Sequence, residues 1–468
     1  MSFRKLTGSS YTLLNLLAFL KPDGIDNAVL AEGSQGGLNP PDWGKEFDFL
    51  SDEMESLADA EAALVQAGFI GKGAHDEGLS IDRALQTSII RELSKDDQSK
   101  YFDAAVRIVT CGFPETWSED VGHQFQTWTK CDKYLSHVSH LVKLEKMYSI
   151  YPLAPQLYGE LLLRSSWYLY EREWYAMARD FIDKALERLE DTTSLAFASA
   201  VDLSGLIDLD LNNPSNALGL FNSALKIRES LLRPDDPLLA SSFNNIALSY
   251  TEMGDLDEAY SAHEKALSIR LRGETRVDNT YSNMSSLLLR MGKPNEAEEM
   301  MQKCPALKDF TDDSFINTGN PRYVGNTVLL SRIRLARGRL DDAMRLASKA
   351  LAFRQKFQGN RLKTCDSMYD VAGMLVRQGR LSEAIPTQNR ELLKRLVDLS
   401  ETLAEEAEGQ LARANYKLSV LYGEKEMSAE SQACKSRAIS LREKLRPESK
   451  DSPFEESEFM KLCLFMLW

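Results

Sequence analysis

Cysteine, histidine and basic charge are all scarce in this chain. Six cysteines in 468 residues, none in a C-x-x-C pair, are too few for a disulfide framework and fit free thiols in a reducing compartment. The five histidines leave little for metal chemistry. Cys131, His137 and His140 share one stretch, but no second ligand pair follows. His263-Glu264 lacks the second histidine of HExxH, and Asp208, Asp210 and Asn212 open like a calcium loop that then puts Gly219 where the bidentate glutamate belongs. The 56 basic residues against 70 acidic ones, a formal charge of −14, exclude a broad electrostatic footprint for nucleic acid or an anionic membrane.

Long apolar runs are missing too. YTLLNLLAFL follows Arg4 and Lys5 but is half a membrane span, and Lys21 and Asp23 come next with no small-residue cleavage site. EFMKLCLFMLW at the other end is equally short, so a cytosolic location is expected. There is no G-x-x-x-x-G-K-[ST]; the nearest stretch, GFIGKGAHDEG, has Ala74 where a hydroxyl is needed. There is no G-x-S-x-G either, and paired carboxylates such as Glu405 and Glu406 read as charge on a solvated helix face. Neither an enzyme nor a bound cofactor is expected.

What the sequence has is self-similarity. NNPSNALGLFNSALKIRESLL is followed by MGDLDEAYSAHEKALSIRL, so that Ala217, Ala224 and Arg228 recur as Ala259, Ala266 and Arg270. Ala178 and Ala185 precede them, Ala297, Ala343, Ala350 and Ala384 follow, and the last unit keeps Ala438 and Arg442 with Ser431 at the first small position. Seven units result, each read as a helical hairpin whose first helix closes at a glycine such as Gly254, Gly292, Gly338 or Gly379. The small residues let neighbouring helices approach, and stacking completes a core that no hairpin has alone. Residues 1–150 lack the period and read as a small, mainly helical domain: an acidic helix over Phe47–Leu64, a second over IDRALQTSIIRELS, and two more in YFDAAVRIVTCGF and CDKYLSHVSHLVKLEKMYSI. The expected organisation is 1–150, a repeat array over 151–448, and a tail over 449–468 that docks as a cap on the last repeat, with a partner-binding tail as the alternative.

The repeats resemble tetratricopeptide repeats, specifically the longer kind of kinesin light chains; FNNIALSYTEMGDLDEAYSAHEKALSIR and IRESLLRPDDPLLA carry the likeness, which covers residues 156–445. The front of the chain, through YTLLNLLAFLKPDGI, LSIDRALQTSIIREL, CGFPETW and CDKYLSHVSHLVKL, resembles the winged-helix segment that follows the nucleotide-binding domain in fungal NLR-like proteins of the NB-ARC and NACHT (STAND) type. Family members commonly carry His where this chain has Asp82. The resemblance implies an all-α solenoid behind a winged-helix-like domain, without the ATPase. It also implies a separate NTPase as a candidate partner, and leaves open whether a P-loop domain is missing from the gene or only from the gene model.

With no catalytic cluster, function is expected in binding. The first helix of each unit lines the concave side of such a solenoid, where polar side chains hold an extended peptide. Asn245 and Asn283 occupy equivalent places two residues before the small position, and Asp370 takes that place in the sixth unit. The resemblance implies that an Asn there contacts ligand main chain. Arg332 lies three residues beyond the equivalent position, at the head of a basic run from Arg332 to Lys363 that suits an acidic partner. The expected activity is that of a non-enzymatic scaffold or sensor arm binding a peptide or protein segment, with no nucleic acid and no membrane involved. The alternative is a transcriptional or signalling regulator using the winged-helix-like domain, with IDRALQTSIIRELSK as its recognition helix.

Overall fold

The computed structural model describes residues 6, 8–26, 29–30, 45–50, 55–72, 78–118, 122–304, 321–379 and 385–465. These divide into two compact units, one drawn from 1–118, 124–169 and 176–200, the other from 119–123, 170–175 and 201–468.

In the first unit the apolar run near the start becomes α1 (Gly8–Leu17), with Leu13, Leu14, Leu16 and Leu17 fully buried. Apolar side chains on every side of a helix place it inside a core. The expected Phe47–Leu64 helix is two elements: a 3-10 turn over Lys45–Leu50 and α2 (Glu55–Gln66). Phe47, Phe49 and Leu50 fall within four residues, and the tighter turn buries all three. A short antiparallel hairpin comes next, β1 (Ile70–Lys72) with β2 (Leu79–Ile81), and Ile25 bridges to Leu79 on its far side. Then come α3 (Arg83–Glu92), α4 (Lys95–Gly112) and α5 (Trp128–Tyr148). Asp82 has a local role: its carboxylate accepts the backbone N–H groups of Ala84 (2.8 Å) and Leu85 (3.0 Å), capping α3. The buried Gln86 amide in turn donates to the carbonyls of Leu17 and Leu20 at the end of α1.

Seven hairpins make up the rest: α6 (Pro155–Glu171) with α7 (Tyr175–Arg188), α8 (Leu195–Asp210) with α9 (Pro214–Leu231), α10 (Pro237–Met253) with α11 (Leu256–Arg272), α12 (Asp278–Arg290) with α13 (Pro294–Gln302), α14 (Pro321–Ala336) with α15 (Leu340–Phe357), α16 (Leu362–Gly379) with α17 (Ile385–Thr402), and α18 (Glu408–Gly423) with α19 (Ser428–Leu445). The fold is thus an all-α, tetratricopeptide-like solenoid. Ala178, Ala185, Ala217, Ala224, Ala259, Ala266, Ala297, Ala343, Ala350 and Ala438 are each 0% exposed, which is why the sequence repeats them: a larger side chain costs about 1–3 kcal/mol where helices touch. Ala384 lies outside the described residues, and so does the turn expected after Gly379.

Two further registers share that period. Arg228, Arg270, Arg354 and Arg442, at the same place in four second helices, are at most 3% exposed. Each reaches the chain that leads on from its hairpin. Arg228 donates to Ser242 Oγ (2.7 Å), Arg270 to the Arg276 carbonyl (2.9 Å), Arg354 to the Lys363 carbonyl (2.6 Å) and Arg442 to the Pro453 carbonyl (2.8 Å). A fork of fixed donors satisfies carbonyls that a solenoid joint would otherwise leave buried and unpaired. The hairpin turn is the other register. Glu173, Asn212, Gly254, Gly292, Gly338 and Glu426 all adopt positive φ there, including Gly254 at +94°, so the left-handed turn is imposed by the hairpin even on side chains that resist it.

Candidate peptide groove

On a helix, residues seven apart share a face, so the place two residues before the small position and the place five after it look the same way. In α10 these are Asn245 and Glu252, in α12 Asn283 and Arg290. In α18, where Ser419 is the small residue, the first of them is Lys417. The C-terminal segment runs along this face in the second unit, from the short helix α20 (Glu456–Met460) to Phe465.

Its first half packs on the last hairpin. Phe459 is fully buried with Ala412, Ala438 and Leu462, and its ring lies 4.7 Å from that of Tyr416. The half-exposed Glu456 carboxylate accepts the Tyr369 hydroxyl (2.7 Å) and pairs with Lys417. Burial alone would raise that carboxyl; the Lys417 charge and the hydrogen bonds from Lys417 and Tyr369 outweigh it and hold the group below the usual carboxylate range. Beneath, Arg413 and Asp366 form a fully buried pair at 2.5 Å, with the guanidinium 4.1 Å from the Tyr369 ring centre.

The second half leaves the last hairpin. Gly409 lets the backbone pass, since a Cβ there would fall 2.1 Å from the Leu462 carbonyl oxygen. Asn212 Nδ2 donates to the Lys461 carbonyl (3.3 Å), and Leu464 is buried in the cluster that holds Leu209, Phe221, Leu239 and Ile246. Both main-chain groups of Phe465 are held by side chains. Its N–H donates to Glu252 Oε2 (2.9 Å) and its carbonyl accepts Arg332 Nη1. Arg290 lies over its ring, 5.1 Å from the centre, and reaches Glu252 at 3.3 Å. The cap on the last repeat therefore describes the segment only as far as Leu462, because it has a second set of partners further along. Leu467 and Trp468 lie outside the described residues.

Of the four residues chosen from the sequence, two meet. Arg332 binds Asp370 at two points, Nε to Oδ2 at 3.0 Å and Nη2 to Oδ1 at 3.2 Å, and turns its remaining nitrogen to Phe465. Asn245 donates instead to the Asp202 carboxylate (3.1 and 3.2 Å), and Asn283 is buried with no described hydrogen bond to the segment. Glu252, Arg290, Asn212, Arg413 and Lys417 were not chosen. Lys417 is findable by carrying the register of Asp370 one repeat further, and Glu252 and Arg290 by the seven-residue helix step.

The basic run is not one patch. Arg334 and Arg337 pair with Glu298, Arg339 and Arg345 with Asp342, and Lys363 with Asp210 (3.2 Å), while Arg354 is inside. Within that run, only Arg332 has a described bond to the C-terminal segment. Among the described residues no group of three or more His, Cys, Asp or Glu is placed to hold a metal ion, no disulfide joins the six cysteines, and no helix is long and apolar enough to cross a membrane.

A tetratricopeptide-repeat family profile matches residues 195–272 and 238–307, and the profile of a domain of unknown function (DUF7779) matches residues 1–98. No curated protein matches the chain. Among solved structures, it is similar to a signal-transduction ATPase with numerous domains (STAND) carrying a tetratricopeptide sensor, from Pyrococcus horikoshii, at 14% identity and a TM-score of 0.51, over 98% of this chain and 60% of that one. It is also similar to a Rap protein complexed with competence and sporulation factor, at 14% identity and a TM-score of 0.48, over 78% of this chain and 93% of that one.

Proposed function

We propose that the chain is a non-enzymatic protein-interaction scaffold whose repeat groove holds an extended polypeptide segment by its main chain. One observation carries this: the amide and the carbonyl of a single residue, Phe465, are each bonded by a groove side chain, Glu252 and Arg332. Main-chain bonds give affinity that does not depend on the ligand's side chains, and pockets such as the one around Leu464 add selectivity. Asn245 and Asn283 stay in this reading as groove positions beside the clamp, and Asp370 as the residue that aims Arg332.

The test is a display library of random decapeptides, selected on the full chain carrying Leu464→Glu, which loosens the resident segment by charging a buried anchor. Selected peptides should be retained by that chain and lost when Glu252→Gln and Arg332→Gln are added. If nothing is selected, or if retention ignores the added pair, the groove reading falls.

In the N-terminal unit we read the order α1, the Ile25 bridge, the 3-10 turn, α2 and the hairpin as winged-helix-like, a reading that puts α2 in the recognition position rather than the expected α3. Three of the twelve residues of α2 are acidic and none is basic, which disfavours the regulator that reads DNA. A winged-helix-like element as the hinge of an NLR-like arm, working with a separate NTPase, fits both this charge and the fold likeness to the STAND protein.

A further inference from the structure

We propose that the segment Glu456–Phe465 is a built-in stand-in for the partner, and that the partner presents the same pattern: a carboxylate, an aromatic three residues later, and a Leu-Phe pair eight and nine residues after the carboxylate. This rests on the groove reading above and names the ligand class for it.

The pattern comes from what each position meets. Glu456 sits against Lys417 and the Tyr369 hydroxyl. Phe459 fills a pocket of Ala412, Ala438 and Tyr416. Leu464 enters the cluster around Leu209 and Phe221, and Phe465 lies beneath Arg290 with its backbone clamped. Between these anchors the Lys461 carbonyl goes to Asn212 and the Leu462 carbonyl passes over Gly409, while the Leu462 and Cys463 side chains are buried and Met460 lies against Arg413. Lys461, whose side chain is mostly exposed, is thus the position free to vary.

The same contacts say how exchange occurs. Phe459, Leu462, Cys463 and Leu464 are each at most 8% exposed, and the groove that receives them has apolar side chains at both ends, with Arg413 and Lys417 beside those that hold Phe459 and Arg332 beside the position of Phe465. An emptied groove exposes both, which is costly, so the resident leaves when a segment with matching apolar and acidic groups replaces it. A tethered segment acts at an effective concentration of about a millimolar, so a free peptide meets the intact chain at a large disadvantage. Anything that weakens the tether's hold raises apparent affinity for the partner without altering the groove.

Leu464→Glu in the full chain tests this selectively. It places a charge where the segment enters the cluster around Leu209 and Phe221 and leaves every groove side chain as it is. The probe is the labelled decapeptide ESEFMKLCLF under reducing conditions, read by fluorescence anisotropy against full-length chains. Binding to the Leu464→Glu chain should be at least about tenfold tighter than to the unaltered chain, should be lost with Glu456→Lys or Phe465→Ala in the peptide, and should survive Lys461→Ala. Adding Gly409→Ala to that chain should weaken the decapeptide again, because the new Cβ would fall 2.1 Å from the Leu462 carbonyl oxygen of a segment on this path. If the decapeptide does not bind the Leu464→Glu chain while library peptides of unrelated pattern do so through Glu252 and Arg332, the stand-in proposal is overturned and the groove reading stands. Equal binding to altered and unaltered chains overturns it as well.

Discussion

Arg332 and Asp370 hold each other at two points, 3.0 and 3.2 Å apart, and the guanidinium nitrogen left over meets the Phe465 carbonyl. Three donors of one rigid fork are used in two directions, which a lysine ammonium cannot do. Arg332→Lys should therefore leave the repeats folded but speed hydrogen exchange of the Phe465 amide by about tenfold, and Asp370→Ala should do the same by letting Arg332 swing. Exchange measured by mass spectrometry on the C-terminal peptide checks both; unchanged protection there means that Arg332 does not clamp.

Arg413 and Asp366 make a different kind of pair, with both side chains 1% exposed. Gln410 also donates to Asp366 (3.3 Å). Removing one charge from such a pair leaves the other buried and alone, at about 3–5 kcal/mol. Asp366→Ala should thus be strongly destabilising in urea, while Asp366→Leu with Arg413→Met should recover most of the loss. Equal destabilisation by the single and double changes would show that the pair matters for its shape and not its charge.

The repeats were legible because one small side chain per turn of a hairpin leaves an uninterrupted signal: Ala217 and Ala259 are buried for the same reason, at the same place. The left-handed turn was legible at Gly254 and hidden at Glu173, Asn212 and Glu426, where the conformation is the same and the residue type gives no hint. Arg332 and Asp370 could be chosen from the helix register, since each lies on the face it defines. The path of the C-terminal segment could not. Phe465 meets Glu252, 213 positions away, and that meeting depends on how the hairpins rotate from one to the next, which no local pattern encodes. The composition of the tail predicts only that it is covered.

Glu426 is an exposed glutamate held at φ +57° in the last hairpin turn, the place that glycine fills in three other repeats. A Cβ in the left-handed region costs about 1 kcal/mol, and glycine removes that cost. Glu426→Gly should therefore stabilise the chain by roughly that amount in a urea titration. Glu173→Gly should not, even though φ is +58° there, because its buried carboxylate accepts the Lys363 N–H at 2.8 Å and that bond would be lost. If both changes act with the same sign, backbone strain is not what the hairpin turns store.

In the N-terminal unit, His137 is 1% exposed and its Nδ1 accepts the Lys21 N–H at 3.2 Å. Protonating Nδ1 would set a donor against a donor. Burial, helped by the charges of Lys21, His140 and Lys133, lowers its pKa from 6.5 to about 4, and His140 is lowered to about 4 by burial in the same helix. Between those values the unfolded chain takes up a proton that the folded one refuses. Each histidine's contribution is whole above pH 6.5 and is lost as the pH falls toward 4, by about 1.4 kcal/mol per pH unit. Asp103 works the other way, because burial raises its carboxyl to about 6, so folding gains from it over much of the same interval. Two groups against one leave a net loss of stability on acidification. His137→Asn keeps an acceptor for Lys21 and removes the titration, so urea midpoints at pH 7, 6 and 5 should fall less steeply for it, while Asp103→Asn should make the fall steeper. Parallel slopes for the three chains would mean that these buried groups are not what sets the acid limit of the fold.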